Sequence, residues 1–347
     1  MSDSTLIEQS GSRPFRIRPN EYDVTSRVCV SSADDVRDAV HGIFQQAFPG
    51  SAFDLLWVAF HDFERLFRGK YEDYLGCDTV YHDIQHTLDM SLAMARLLAG
   101  YEKSAAPTDR LGHERAMVGL ITALFHDSGY IRRRSEEAVA NGAVFTGQHV
   151  SRSAEFLRGY LVRIGLAHQA GIAAQVVHFT GYEMKLDDIE LDDPKDSLMG
   201  HLLGTADLMA QMADRCYLEK CRDRLYAEFV LAGVATRPIA EAEKIQYESG
   251  IDLLRQTPGF FQLSARQRMD KSFNRAYRYT EAVCDGRNPY FESIEQNLTH
   301  LDRIIEGETW EMLRRQPPCF TVLDEPLQHV SGLVSRYLAD QGATAVR

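Results

Sequence analysis

The sequence has few of the marks of a secreted, membrane-spanning or nucleic-acid-binding protein. Its six cysteines, Cys29, Cys77, Cys216, Cys221, Cys284 and Cys319, are scattered and form no CxxC pair. Neither a disulfide framework nor a thiolate zinc site has spacing to support it, so reduced thiols are expected. No apolar run is long enough to cross a bilayer. Residues 1–20, MSDSTLIEQSGSRPFRIRPN, hold no apolar core of a secretory signal, and the cytoplasm is the expected compartment. Positive charge is also scarce. Fifty acidic against 38 basic residues leave a formal charge of −12, which argues against general affinity for nucleic acid or an anionic membrane. No Gly-rich phosphate loop, internal repeat or low-complexity tract occurs.

What is present is helical periodicity. The 347 residues are 44% hydrophobic and 25% charged, ordinary for a globular chain. Residues 1–30 are Ser-, Arg- and Pro-rich and read as a flexible tail, with one short strand at 23–30. From Ala33 on, apolar residues recur with a helical period. Ser51 is an expected cap for a second helix. A third helix begins near Val80 and should end at Gly100. MVGLITALFHD (117–127) is apolar on every side, as in a fully buried helix. Helices follow at about 147–165, 170–179 and through HLLGTADLMAQM, then AEFVLAGVA, IAEAEKIQYESGIDLLRQ and NPYFESIEQNLTHLDRIIEG. The expected fold is all-α, a helical bundle over 31–310, with a peripheral C-terminal helix and tail at 311–347.

Five of these stretches carry imidazoles and carboxylates in or beside apolar runs: YHDIQH (81–86), FHD (125–127), QH (148–149), VVH (176–178) and TAD (205–207). Such groups are costly to bury unless something binds them, and a pair of divalent metals would do so. His82 and His86 are one helical turn apart, so one can bind metal while the other stands over a substrate. Asp127 closes the most buried helix with no basic residue in the preceding turns, and its two oxygens can bridge two metals. Asp207 interrupts another apolar helix. His149 and His178 alone read as core or cap histidines, but the steps from His149 to His178 and from His178 to Asp207 are both 29 residues. That spacing places them on successive helices as ligands of a second metal. Mixed imidazole and carboxylate donors suit zinc, iron, manganese or nickel, and oxygen-only donors magnesium.

The order His, His-Asp, Asp, met by His86, His126, Asp127 and Asp207, resembles the HD superfamily of metal-dependent phosphohydrolases. YHDIQHTLDM is also similar to the YHNxxHxxDV signature of class I cyclic-nucleotide phosphodiesterases. That resemblance implies an HD-domain bundle over 31–310, His82 as general acid and His86 as metal ligand. The implied substrate is a small phosphorylated molecule, a cyclic nucleotide foremost. Three features depart from the phosphodiesterase pattern. Tyr130 stands where HDxxH has its second histidine, Asp83 replaces the signature Asn, and the purine-holding glutamine has only GFFQL (259–263) and QNL (296–298) as candidates. Two later histidines complete a binuclear site in another branch, similar to the cyclic-di-nucleotide HD-GYP enzymes, but their HHExxDGxGYP run is absent.

A protonated His82 would then donate to the leaving oxygen, its pKa raised by Asp83 or Glu72. Arg152, one turn after His149, is a candidate for a substrate phosphate, with a solvated helix face as the alternative. The same ligand order occurs in HD-fold di-iron oxygenases, where His82 would lack this role. A nucleotide-binding module without catalysis is the third reading.

Overall fold

The computed structural model describes residues 18–239 and 245–344. It is all-α. Among the described residues there is no strand, only three isolated bridge pairs. The helices are α1 (Ala33–Ala47), α2 (Asp54–Phe67), α3 (Ile84–Ser104), α4 (His113–Phe125), α5 (His149–Arg163), α6 (Ala170–Val176), α7 (Pro194–Ala213), α8 (Tyr217–Lys220), α9 (Tyr226–Leu231), α10 (Gly250–Phe260), α11 (Pro289–Gly307) and α12 (Pro326–Thr344). None is long and apolar enough to cross a membrane.

The helix starts follow from their caps. Ser32 accepts from the Asp35 N–H, Asp83 from those of Gln85 and His86, and Asp193 and Asn288 cap helices that open on proline. α3 is the axis of the bundle. Every residue from Ile84 to Gly100 is buried, packed mainly against α1, α4, α7 and the turn at 276–282. Truncating one of its fully buried leucines, such as Leu88, is expected to cost about 2–5 kcal/mol. α4 is buried from Ala116 to Phe125, as its all-round apolar sequence requires. These two helices form a stiff floor.

Several boundaries differ from the sequence expectations. α3 does not end at Gly100. A Cβ there would lie 1.8 Å from the Tyr279 carbonyl oxygen, so this glycine permits close packing. α2 starts at Asp54 without a side-chain cap, so Ser51 does not serve as one. Residues 23–30 make only an isolated pair, Tyr22 with Cys29, because Asp23 draws in the N–H groups of Thr25, Arg27 and Val28 and turns the chain. The helix expected across 239–256 begins only at Gly250, capped by Ser249. Before it Pro238 pairs with Ile245, and 240–244 lie outside the described residues.

The expected flexible tail divides in two. Residues 1–17 lie outside the described residues, whereas 18–30 are docked. Arg18 reaches the Ala213 carbonyl at 2.8 Å, Gln85 the Asn20 carbonyl at 3.2 Å, and Arg96 the Asp23 carboxylate at 2.6 Å. The C-terminal part is tied to the bundle at its start, while most of α12 stays exposed. The Phe320 N–H meets Asp83, the Val322 N–H meets the Cys77 carbonyl, and α12 packs on α9.

Candidate metal centre

Four of the expected ligands converge. His86 sits in the first turn of α3, placed by the Asp83 cap. His126 and Asp127 follow α4, where Ser128 turns the chain by donating to the Phe125 carbonyl. Asp207 comes from the middle of α7. His86 Nε2 lies 3.4 Å from Asp127 Oδ2 and 3.4 Å from Asp207 Oδ1. His126 Nε2 lies 3.2 Å from Asp127 Oδ2 and 3.8 Å from Asp207 Oδ1. Donor atoms of His86, His126 and Asp127 all fall within 4.8 Å of one another.

Two features fit this cluster to a cation. His126 Nε2 and Asp127 Oδ2 are fully buried yet neither has a hydrogen-bond partner, although such atoms are nearly always paired in a folded protein. The outer atoms, by contrast, are fixed. His126 Nδ1 donates to the Ala123 carbonyl and His149 Nδ1 to the Thr146 carbonyl, both at 2.8 Å. That sets each tautomer and turns Nε2 inward, the usual support of a metal-binding imidazole. Burial opposes the His126 cation, but Asp127 and Asp207 outweigh it and push the pKa up to about 9. Burial also opposes ionised Asp127, yet His126, His82 and His86 hold it far below the usual carboxylate range. Without a metal, protons fill the place of the cation.

The second set is looser. His149 opens α5, with Nε2 3.9 Å from Asp127 Oδ1, the oxygen facing away from His126. Burial pushes its pKa down, favouring the neutral donor form. His178, at the end of the turn after α6, is buried with Nδ1 unpartnered, and burial lowers its pKa too. No ion pair or ring contact joins His178 to Asp127 or His149 directly. Glu183 stands near both, 3.5 Å from His149 Nδ1, while capping α5 through the N–H groups of Val150 and Ser151.

His82 stands beside the cluster, its ring 5.9 Å from that of His86. Its partner is Glu228 of α9, with Oε2 2.6 Å from His82 Nδ1 and Oε1 accepting from the Tyr81 N–H at 2.5 Å. This corrects the expectation of Asp83 or Glu72. Asp83 is occupied as the cap of α3 and Glu72 is exposed. Burial pushes the His82 imidazolium down, but Glu228, with Asp127 and Asp207 behind it, wins and raises the pKa above the ordinary value. Glu228 carried the signal used for Asp207, an acid inside an apolar run, here AEFVLAG.

Arg152 is not free for a phosphate. It makes a bidentate pair with Glu136, both contacts at 2.8 Å, donates to the Gly129 carbonyl at 2.7 Å and covers the Phe145 ring. Gln262 and Gln296, the glutamine candidates, are exposed. His201 packs its ring against Phe179 and Phe273. A cleft of about 1170 Å³ between α1, α3 and the 282–289 loop is lined by none of the candidate ligands.

Fold and cluster together define an all-α protein with a buried imidazole–carboxylate centre suited to a divalent cation. The chain belongs to the Npun_R2479-like family, whose model matches residues 69–298. No curated protein and no solved structure matches it. The matched span contains His82, all six candidate ligands and Glu228, but not α1, α2 or α12.

Proposed function

We propose that this chain is an HD-domain metal-dependent phosphohydrolase that cleaves a phosphate ester or diester, a cyclic nucleotide foremost. The observation that carries the reading is the pair of buried, unpartnered atoms, His126 Nε2 and Asp127 Oδ2, facing each other and the donors of His86 and Asp207. These four residues would hold one divalent ion. His149 and His178 would complete a second with the outer oxygen of Asp127. Bound metal would supply Lewis-acid polarisation of a phosphoryl group and activation of a water.

The chain's own part is proton management and exclusion of solvent. Glu228 fixes the Nδ1–H of His82 and favours the imidazolium, which leaves Nε2 without a protein partner and able to give a proton to a leaving oxygen. The neighbouring imidazoles hold Asp127 below the usual carboxylate range, which favours the ionised donor form. This His82–Glu228 pair supplies the proton that a departing ester oxygen needs, as the hydrolytic reading requires.

The test is elemental analysis beside hydrolysis of bis(p-nitrophenyl) phosphate with and without Mn²⁺. About two metals per chain with metal-dependent turnover is the expected result. Two irons and oxygen consumption without hydrolysis would overturn it. His82→Ala should keep the metals and slow turnover by ~10²–10⁴-fold, and metal loss in that variant would remove His82 from the donor role.

A further inference from the structure

The ring of Tyr130 stacks against two imidazoles that also meet each other. Its centroid is 4.4 Å from that of His82, with the planes 18° apart, and 4.4 Å from that of His149, with the planes 20° apart. The two imidazoles are 6.2 Å apart with their planes 35° apart, so one tyrosine ring backs both the proposed proton donor and a proposed ligand of the second metal. Stacking at this separation is attractive and restricts tilt of all three rings. Tyr130 is buried at 2% exposure, and its hydroxyl meets the Thr146 side chain. The Thr146 carbonyl in turn receives the Nδ1–H of His149.

The ring is held from behind as well. Gly129 N–H donates to Ser153 Oγ at 2.9 Å, and the Gly129 carbonyl accepts from Arg152 Nε at 2.7 Å. Both partners belong to α5, the helix that His149 opens. A Cβ on Gly129 would lie 1.9 Å from the His149 carbonyl oxygen, so only glycine lets the turn and the helix start close up this far. The charge pair of Arg152 with Glu136 steadies the arrangement. Turn 128–130 and the first turn of α5 therefore form one rigid unit that presents Tyr130.

We propose that Tyr130 is a positioning residue that holds His82 and His149 in fixed register, so that proton donor and second-metal ligand are set by one aromatic ring. This rests on the two-metal phosphohydrolase reading. Tyr130 stands four residues after His126, yet it contributes ring surface to the centre, not a donor atom. A fixed His149 loses less freedom when it binds, which favours the second metal. A fixed His82 keeps Nε2 aimed at the leaving group.

The experiment is a Co²⁺ titration of the full chain followed by visible absorbance, with turnover of bis(p-nitrophenyl) phosphate measured beside it. The wild type should show two binding steps. Tyr130→Leu should keep the tighter step and weaken the other by about 10–100-fold, the usual cost of losing support behind a metal ligand. At saturating Co²⁺ its kcat should fall while KM changes little, because His82 is loosened but substrate contacts are not. Tyr130→Phe should keep both binding steps, since the stack needs the ring and not the hydroxyl. If Tyr130→Leu folds poorly by circular dichroism, Arg152→Gln carries the same test, because it releases the turn without touching the ring and should weaken the same step. Unchanged Co²⁺ steps and kcat in Tyr130→Leu, or in Arg152→Gln when it stands in, would overturn the proposal. So would equal loss in the Phe variant. A single step in the wild type would sink the two-metal reading itself, and the second-site role of Tyr130 with it.

Discussion

α3 carries two buried polar clusters, ten residues and about 15 Å apart along one helix, and they are built on opposite principles. At Arg96 every demand is met. The guanidinium binds Asp23 at 2.6 Å and the Tyr290 hydroxyl at 2.7 Å, and Asp23 also receives the N–H groups of Thr25, Arg27 and Val28. At His86 the demand is left open, with His126 Nε2 and Asp127 Oδ2 buried and unpartnered. A closed network pins one segment to another, and here it fastens residues 18–30 to the bundle. An open one holds a binding capacity that the chain itself does not use. Asp89, between them, shows what happens to a carboxyl with neither a close cation nor a ligand. Burial, with Asp214 and Asp23 nearby, pushes its pKa up to about 7, whereas the histidines keep Asp127 ionised.

Breaking each cluster should therefore give opposite signatures. The largest effect is expected from Asp127→Asn, which should lose both metals by elemental analysis and with them hydrolysis. Its metal-free stability in urea should suffer less than that of the next variant. Arg96→Met leaves Asp23 buried without its cation and should cost about 3–5 kcal/mol in urea unfolding, while metal content stays at the wild-type value. Equal stability losses in the two variants would erase the distinction.

The smallest effect, and the sharpest, belongs to Glu228→Gln. Glu228 raises the His82 pKa, so the proton of the proposed donor persists above the ordinary histidine range and is lost as pH rises through the raised value. Gln should move the alkaline limb of kcat/KM toward lower pH and leave the rate well below that limb nearly unchanged. The same sign governs stability. The His82–Glu228 interaction contributes fully below the unfolded histidine pKa and fades as pH climbs through the folded one. A limb that does not move would detach Glu228 from the proton donor.

The converging candidate ligands are legible because each interrupts an apolar stretch where a lone acid or imidazole is expensive. Asp127 after Ala-Leu-Phe and Asp207 within HLLGTADLMAQM are the clearest. Glu228 carries the same mark, but Asp83 and Glu72 are the acids near His82 in sequence. The true contact spans 146 residues and depends on where α9 lands. Gly100 read as a stop because glycine often ends helices, yet the approach of the Tyr279 backbone is a tertiary event with no local trace. Arg152 read as a phosphate contact because its partner Glu136 lies in a turn that helical periodicity cannot place. Tyr130 was visible only as a departure from a histidine pattern, and its stacking geometry follows from the turn at Gly129.

The chain after Pro317 reaches back across the wall behind His82. Arg224 donates to the carbonyls of Pro317 and Pro318, Phe320 to Asp83, and Val322 to the Cys77 carbonyl. The stretch that the family model matches, 69–298, is thus narrower than the stretch joined by these contacts. A fragment cut to those limits would own all the proposed chemistry but would take the Pro317 and Pro318 carbonyls from Arg224 and the Phe320 N–H from Asp83. For this architecture, the span of the family match and the span tied together by contacts are different lines on the same chain.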